Sequence, residues 1–348
     1  MSEAEGIYVC GIGAVSPAGW GVAPLRDALC KGEPLPTREL PRPGWNQPLR
    51  VRAVPSLPAR PAFLSHSRLR RTSPIAQYTV AAALEALGSD GVRVTNGSLR
   101  LGLVQCAMTG WVNYSRRFYD ETLKDPATAS PLVFPETVFN APASHLAAVL
   151  GTTSINYTLV GDPGTFLQGI ALAANWLSSE RVDSCLVIGA EEADWLTADA
   201  YRLFARKVIV AEGAGAIYLR RHLPATSPVQ LKSVTETHLF SSQQGRANAA
   251  KRVRAELPAT NAEHLLCDGI QGVPSADADE LRAWRDWTGA HLSPKLILGE
   301  GLAAASAWQC VAAIDALIQR RFPASSIAVV GCNEQAIGAH FVIADSKS

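Results

Sequence analysis

The sequence lacks long apolar runs and any excess of charge of one sign. No uninterrupted run of about 18 apolar residues occurs, roughly the length that a membrane-spanning helix needs. The first residues, MSEAEGIYVCGIG, have no basic segment leading into a long apolar one. The 32 Lys and Arg nearly balance the 31 Asp and Glu, for a net charge of +1. We therefore expect a cytoplasmic protein without a membrane span, and nucleic acid is disfavoured as a partner.

Paired cysteines and clustered histidines are also missing. The seven cysteines are scattered without a CxxC pair, and the seven histidines lie far apart in the sequence. A local metal site therefore has no support. An odd number of cysteines, mostly within apolar segments, favours reduced core thiols. The sequence predicts neither a metal nor an organic cofactor.

A diverged internal repeat is the most informative architectural feature. Residues 101–110 (LGLVQCAMTG) and 263–272 (EHLLCDGIQG) each have the pattern of a short buried strand followed by a glycine turn. A helix with a wide apolar face and a second apolar strand follow each copy. These pairs are 169–179 with 185–188 and 303–320 with 327–330. The pattern indicates two copies of one α/β unit.

Continuous apolar strands that alternate with apolar helices suit a sheet covered by helices on both faces. We therefore expect a layered α/β fold with an N-terminal half, 1–205, and a C-terminal half, 206–348, in one compact body. The Pro-rich stretch 33–61 interrupts the periodicity, which predicts a surface excursion.

Six segments carry a family resemblance. They are VCGIGAVSPAG at 9–19, SPLVFP at 130–135 with NAPA at 140–143, GAE at 189–191, EGAGA at 212–216, Lys295 with Gly299, and AAA at 303–305. In order and spacing they resemble the motifs of β-ketoacyl synthases of the thiolase fold. The resemblance covers nearly the whole chain. It implies a five-layered αβαβα architecture built from two duplicated α/β halves.

The same comparison indicates a missing nucleophile. Condensing members of the family carry a cysteine at a strand-to-helix elbow, where the helix N-terminus lowers its pKa and backbone N–H groups hold an oxyanion. Counting back from 189–191 places the elbow at 160–165 and the cysteine position at Pro163. Because proline has no thiol and no backbone N–H, this replacement would remove the nucleophile and one oxyanion donor.

The two catalytic histidines of the family also have no counterpart. The H-G-T-G-T-P motif reads DGIQGVP from Asp268, and the Gly-His pair after Lys295 reads Gly-Glu, ending at Glu300. A carboxylate facing a developing enolate would oppose its charge. The G-F-G-G loop reads AIGA at 336–339, so Ile337 alters the aromatic gate. The resemblance therefore implies a retained fold without catalysis.

A degenerate subunit of this family still has a function when it pairs with an active one. The resemblance implies a chain length factor of a type II polyketide synthase, with the small partners of aryl polyene synthases as the nearest comparison. Its partners would be an active ketosynthase and an acyl carrier protein with phosphopantetheine-linked chains. Bulky side chains near the dimer interface would limit chain length. The residues implied there are Trp111, Tyr114, Phe118, Phe134 and Ile337.

Two other functions stay open. The chain would be an enzyme if Asp162, Asp268 or Glu300 supported unusual thioester chemistry, such as malonyl decarboxylation or acyl transfer. It would be a homodimeric acyl-binding scaffold if it had no ketosynthase partner. The basic run at 68–71 would dock an acidic carrier protein or remain a solvated charged surface.

Structural roles are the simpler interpretation for several of these residues. Asp162 before a proline suits a helix N-cap, and Lys295 suits an ion pair. Packing is the expected role of His145 and His340, which match no catalytic position of the family. The aromatic residues near the predicted tunnel would equally serve as core and interface packing.

Overall fold

The computed structural model describes residues 6–59, 61–221 and 229–344. Its strands are β1 (Ile7–Ser16), β2 (Gly19–Trp20), β3 (Arg38–Leu40), β4 (Leu49–Arg52), β5 (Leu101–Ala107), β6 (Asn156–Val160), β7 (Ser184–Glu191), β8 (Val210–Ala211), β9 (Gly213–Arg220), β10 (Val229–Val234), β11 (His238–Leu239), β12 (Leu265–Cys267), β13 (Ala290–Leu292), β14 (Ala324–Val330) and β15 (Gln335–Ile343).

The α-helices alternate with these strands, as the repeat predicts. They are α1 (Val22–Lys31), α2 (Pro74–Leu87), α3 (Asp90–Thr95), α4 (Val112–Lys124), α5 (Ala141–Leu150), α6 (Thr165–Ser178), α7 (Trp195–Phe204), α8 (Gln243–Glu256), α9 (Pro274–Ala283), α10 (Pro294–Leu298) and α11 (Ala303–Ile318). Short 3-10 segments lie at Ala62–Ser65, Ser67–Leu69 and Phe134–Thr137.

The main sheet consists of two halves with the same strand order. One half runs β6-β5-β7-β9-β1 and the other β13-β12-β14-β15-β10. In each half the three outer strands are parallel and the next two are antiparallel to their neighbours. The halves join where β1 pairs with β10, with Ile7 opposite Leu231. This symmetry confirms the predicted duplication.

Helices cover both faces of each half, which produces the five layers. Helix α2 packs on β1, β7 and β9 from outside, and α8 packs on β14 and β15 on the other side of the molecule. Helices α6 and α11 lie between the two halves of the sheet and contact strands of both. The predicted αβαβα order is therefore present.

Alternating side chains along the inner strands supply separate cores. On β5, Val104 and Cys106 join the core around α6 and α11, whereas Leu101 and Leu103 face α2. Because successive strand residues point to opposite faces, a strand covered on both sides must be apolar at nearly every position. This explains why all seven residues of β5 are buried.

Helix α11 approaches the first half of the sheet closely at two glycines. A Cβ on Gly189 would lie 2.4 Å from the Ala303 carbonyl oxygen, and one on Gly215 would lie 2.7 Å from the Ala307 Cβ. The Trp308 indole then reaches across and donates to the carbonyl oxygens of Val15 and Ala214 at 3.0 Å. Any larger side chain at either glycine would push α11 away from the sheet.

Two features of chain organisation were not specified by the sequence. Strand β9 pairs with β1 and β7 although it lies beyond the predicted 205/206 division. The first half therefore extends to Arg220, because its sheet is incomplete without β9. The Pro-rich stretch 33–61 also contains strands, since β3 and β4 form a small sheet with β8.

The cysteines are only partly core residues. Cys106, Cys185, Cys267 and Cys310 are buried, whereas Cys30 and Cys332 are exposed and Cys10 is half-buried. Sequence reasoning overlooked Cys332 because it follows a buried strand directly, at a point where the chain turns outward. No helix within the described ranges is long and apolar enough to cross a membrane.

Candidate functional site

The strand-to-helix elbow lies between β6 and α6, as the motif spacing predicts. The turn is closed by the Thr165 N–H, which donates to the Asp162 carbonyl oxygen at 2.8 Å. Asp162, Pro163 and Gly164, which belong to this turn, are buried. Pro163 therefore occupies the first turn leading into α6 and supplies neither a thiol nor a backbone N–H to this position.

The Asp162 side chain does not cap α6, contrary to the sequence prediction. The N-cap of that helix is Gly164, without a side-chain hydrogen bond. The carboxylate instead accepts hydrogen bonds from the backbone N–H groups of Asn333, Glu334 and Gln335 at 3.1–3.2 Å. It joins the elbow of the first half to the loop after β14 in the second half.

Side chains from that loop complete the contact. The Gln335 amide donates to Thr165 Oγ1 at 3.2 Å and accepts from the Gln168 amide at 2.7 Å. Ile337, fully buried, packs against Gly164, whose added Cβ would lie 2.9 Å from its Cγ2. Ile337 therefore lies at the elbow rather than among the predicted tunnel aromatics.

Lys295 and Glu300 form a buried ion pair, as the structural interpretation of Lys295 predicts. The Lys295 Nζ lies 2.7 Å from Glu300 Oε2, and both side chains are almost completely buried. Burial opposes the charged ammonium, but the Glu300 carboxylate outweighs it and raises the pKa of Lys295. Glu300 Oε1 accepts from the Leu302 N–H at 2.8 Å. The pair neutralises itself inside the protein.

Asp268 has a separate set of partners. It accepts from Ser293 Oγ at 2.6 Å and lies 3.0 Å from His291 Nδ1. Burial, together with the Asp268 carboxylate, raises the pKa of nearby Glu280. In the described part of the chain no hydrogen bond joins Asp268 to Glu300. The two carboxylates thus have different partners, Ser293 and His291 for Asp268 and Lys295 for Glu300.

Cys332 and Tyr201 are site residues that sequence reasoning missed. The Cys332 thiol lies 3.1 Å from Asp162 Oδ1. Surrounding protein atoms and then the Asp162 carboxylate raise the pKa of this thiol. Burial, and next the Glu300 carboxylate, raise the pKa of the Tyr201 hydroxyl. Cys332 is thus held as a protonated thiol, which is a poor nucleophile.

The sequence contained only a weak signal for these two residues. Cys332 is one of seven scattered cysteines and Tyr201 one of seven tyrosines, and neither falls in one of the six motif segments. Their proximity depends on the convergence of α7 with the loop after β14, which linear spacing does not specify.

The predicted tunnel aromatics form two contacts rather than one cluster. Trp111 is buried and packs edge-on against Phe139 with ring centroids 5.0 Å apart. Phe118 packs against Phe134 at 5.3 Å. Tyr114 is half-buried, with its hydroxyl 3.5 Å from the Thr72 carbonyl oxygen.

The two histidines have structural surroundings. His145, on α5, lies 2.6 Å from Glu136 Oε1. His340, on β15, is buried with its Nδ1 3.2 Å from Ser326 Oγ. Burial and the neighbouring His264 lower the pKa of His340 to about 4. Neither histidine touches the elbow through a hydrogen bond in the described ranges.

These contacts determine what chemistry the elbow can support. The position predicted for the nucleophile holds Pro163, the loop N–H groups of 333–335 are already bound to Asp162, and Lys295 is paired with Glu300. An incoming thioester oxygen would meet a carboxylate where stabilisation of an oxyanion needs free donors. Among the described residues no three His, Cys, Asp or Glu side chains come together as a metal site.

Residues 4–225 match the family described as "Beta-ketoacyl synthase, N-terminal domain". The chain belongs to the β-ketoacyl synthase family. Since this match covers more than half of the chain, the motif resemblance is confirmed at the level of the family. The layered architecture is the thiolase fold of that family.

Comparison with a curated β-ketoacyl synthase shows how far this sequence has diverged from that protein. The 3-oxoacyl-[acyl-carrier-protein] synthase 2 of Vibrio harveyi is 25% identical over 133 residues, which are 38% of this chain and 32% of that protein. The chain thus matches about a third of the length of this curated relative.

Two solved complexes share the fold over nearly the whole chain. One is the ketosynthase ApeO in complex with its chain length factor ApeC from Xenorhabdus doucetiae, with a TM-score of 0.76, 16% identity and 98% coverage of both chains. The other is AntDE:AntF, a type II PKS acyl-carrier protein in complex with its ketosynthase bound to the hexaketide, with a TM-score of 0.79, 16% identity and coverage of 97% and 99%.

Asp162→Asn tests the contact between the two halves. An asparagine amide has only one oxygen acceptor and adds a donor facing loop N–H groups, so we expect a loss of about 2–3 kcal/mol in the free energy of unfolding. Urea denaturation measures this loss. Asp120→Asn, at a half-exposed side chain, should change stability by less than about 0.5 kcal/mol. Equal effects of the two substitutions would contradict the structural role of Asp162.

Lys295 and Glu300 can be tested by a double-mutant cycle. Lys295→Met leaves a buried carboxylate without its cation and should cost about 3–5 kcal/mol. Adding Glu300→Gln removes that charge and retains an acceptor for Leu302, so most of the stability should return. The readout is again equilibrium unfolding. Additive losses in the double variant would show that the two charges are not coupled.

Proposed function

We propose that this chain is a non-catalytic ketosynthase-like subunit that pairs with an active β-ketoacyl synthase in the cytoplasm and shapes its acyl tunnel, in the manner of a chain length factor. The observation that carries the proposal is the elbow, where Pro163 stands at the nucleophile position and Asp162 binds the neighbouring loop N–H groups. A chain with this elbow contributes to condensation through its partner.

An unpaired sheet edge supplies a surface for the partner. Strand β6 is the terminal strand of the first half and pairs only with β5 within the described sheet. Tyr157 and Val160, on this edge strand, are each 48% exposed. Exposed edge strands with apolar residues are unfavourable in a monomer, because their free N–H and C=O groups pair with other chains. A second thiolase-fold subunit would extend the sheet here.

An exposed apolar surface lies next to that edge. Helix α4 has no fully buried residue, and it contacts the 3-10 segment at Phe134–Thr137, which in turn contacts α5 beside β6. Such a concentration of exposed apolar side chains is typical of an interface. Its members are Tyr119, Leu123, Leu132, Phe134, Val138 and Phe139.

A cavity of about 540 Å³ adjoins the same surface and supports the tunnel role. Trp111, Tyr119, Phe139 and Leu196 line it, and Arg116 stands at its side. The volume accommodates an acyl segment, and the buried Trp111 ring limits its depth. The aromatic side chains would set chain length by the space they fill.

An acyl carrier protein is the second proposed partner. Arg68, Arg70 and Arg71 are exposed around the buried Leu69 and form no ion pair with the described residues. Uncompensated cations of this kind attract an acidic partner and orient it. Aryl polyene synthesis, in which small degenerate partners of this type occur, is the pathway class we propose.

Independent thioester chemistry receives less support from the site. Cys332 is exposed as a residue. The protein atoms around its sulfur and then the Asp162 carboxylate nevertheless raise the pKa of the thiol. Incubation with an acyl-carrier thioester should therefore leave the intact mass of the purified chain unchanged. A stable acyl adduct would favour the enzyme interpretation instead.

Assembly is the direct test of the partner proposal. Native mass spectrometry of the tagged chain from its own cells should give a one-to-one complex with a cysteine-bearing ketosynthase. Val160→Asp places a charge on the edge strand and should weaken that complex by at least about tenfold. Leu239→Asp is the matched control, because Leu239 is 76% exposed on β11, away from this edge. Recovery of a homodimer alone would overturn the heterodimer proposal.

Trp111→Ala tests the tunnel role separately from assembly. Removing the indole enlarges the cavity beside Phe139, so the assembled complex should make longer products. Liquid chromatography with mass spectrometry measures the product lengths, and native mass spectrometry checks that the complex is intact. Tyr119→Ala, at an exposed side chain of the same cavity, controls for a general loosening of the surface. Unchanged lengths in an intact complex would refute the role of Trp111.

A further inference from the structure

A second crevice, rich in arginine, lies at the other end of the first half-sheet. It has a volume of about 300 Å³. Arg100 directly precedes β5, and Asp183 directly precedes β7. The elbow lies beyond the last residue of β6, which runs parallel to β5. The crevice and the elbow are therefore at opposite ends of the parallel strands, and the proposed function does not use the crevice.

Four guanidinium groups from separate segments converge on this crevice. They belong to Arg93 at the end of α3, Arg100 before β5, and Arg220 and Arg221 at the end of β9. Two carboxylates, Glu180 and Asp183, line it as well. A third carboxylate, that of Asp90, binds Arg93 and Arg220, so the cluster has one more cation than anions.

Ion pairs fix several of these arginines without using all of their donors. Arg100 binds Asp183 through Nε and Nη2, at 2.6 Å for the shortest contact. Its Nη1 has no hydrogen-bond partner in the ranges that the structure describes. Arg220 binds Asp90 through Nη1 at 3.1 Å. The Arg100 guanidinium is therefore oriented and still able to donate.

Arg220 supplies the observation that points to a ligand. Its Nε is buried and has no hydrogen-bond partner. A buried donor without an acceptor destabilises the protein by roughly 1–3 kcal/mol. An oxyanion that accepts two parallel hydrogen bonds from a guanidinium group removes this penalty most effectively. Phosphate oxygens match this fork geometry.

We infer that this crevice binds a phosphate group, held by Arg100 and Arg220 with Arg93 beside them. The local excess of one positive charge favours an anion, and the arginine donors that remain unpaired select one with several oxygen acceptors. The crevice has more room than one phosphate fills, so the ligand class includes small phosphorylated organic molecules as well as the free ion. The inference does not depend on the partner-subunit proposal.

The test uses the full chain and two probes, inorganic phosphate and adenosine 5′-monophosphate. Isothermal titration calorimetry at constant ionic strength, with sodium chloride as the replacement salt, should give saturable binding of one molecule per chain. Arg100→Gln should weaken that binding at least tenfold. The Arg100 side chain is 59% exposed, so the variant should remain folded. Tighter binding of the nucleotide would identify an organic phosphate, and equal binding would identify the free ion.

A matched variant separates a site from general charge effects. Arg117→Gln removes an arginine that is 60% exposed, paired with Glu121 on α4, and absent from the lining of the crevice. Its affinity for both probes should equal that of the unmodified chain. The inference is overturned if neither probe binds in a saturable way, or if Arg117→Gln weakens binding as much as Arg100→Gln does.

Discussion

The whole structure depends on the burial of α11 between the two halves of the sheet. Its residues from Ala303 to Leu317 are all buried; most are small or apolar, while Gln309 donates to the Ala328 carbonyl oxygen and Asp315 pairs with Arg26. Gly189 and Gly215 allow the helix to approach the first half, and Trp308 ties it to the β1 and β9 backbone. This packing uses none of the predicted site residues, so the fold does not depend on the chemistry of the elbow.

The proposed loss of the nucleophile implies that a catalytic position has become a structural one. A negative charge at Asp162 would be costly in the interior without partners, and the loop from Asn333 to Gln335 provides them. The same N–H groups would otherwise be available to a ligand oxygen. Lys295 and Glu300 neutralise each other in the same way. The Asp162 carboxylate thus joins the two halves, whereas the Lys295–Glu300 pair lies within the second half.

The surfaces of the molecule divide its interactions by chemistry. The β6 edge and the neighbouring exposed aromatics present apolar area that suits another folded subunit. The arginine crevice at the opposite end of the parallel strands presents directed donors that suit a small anion. Since one surface relies on the burial of apolar area and the other on charge, they respond to different substitutions and different salt conditions.

The sequence by itself determined the layered α/β fold and the duplication, and it predicted the missing nucleophile. Continuous apolar runs such as 185–188 and 327–330 indicate strands that are covered on both faces. A proline at position 163 has no thiol, whatever the tertiary structure around it. Only the tertiary structure decided that Asp162 binds the loop after β14 instead of capping α6, that β9 completes the first half, and that Cys332 and Tyr201 lie near the elbow. Local periodicity reports which side of an element is buried, whereas these contacts join residues up to 173 positions apart and depend on how the two halves are packed together.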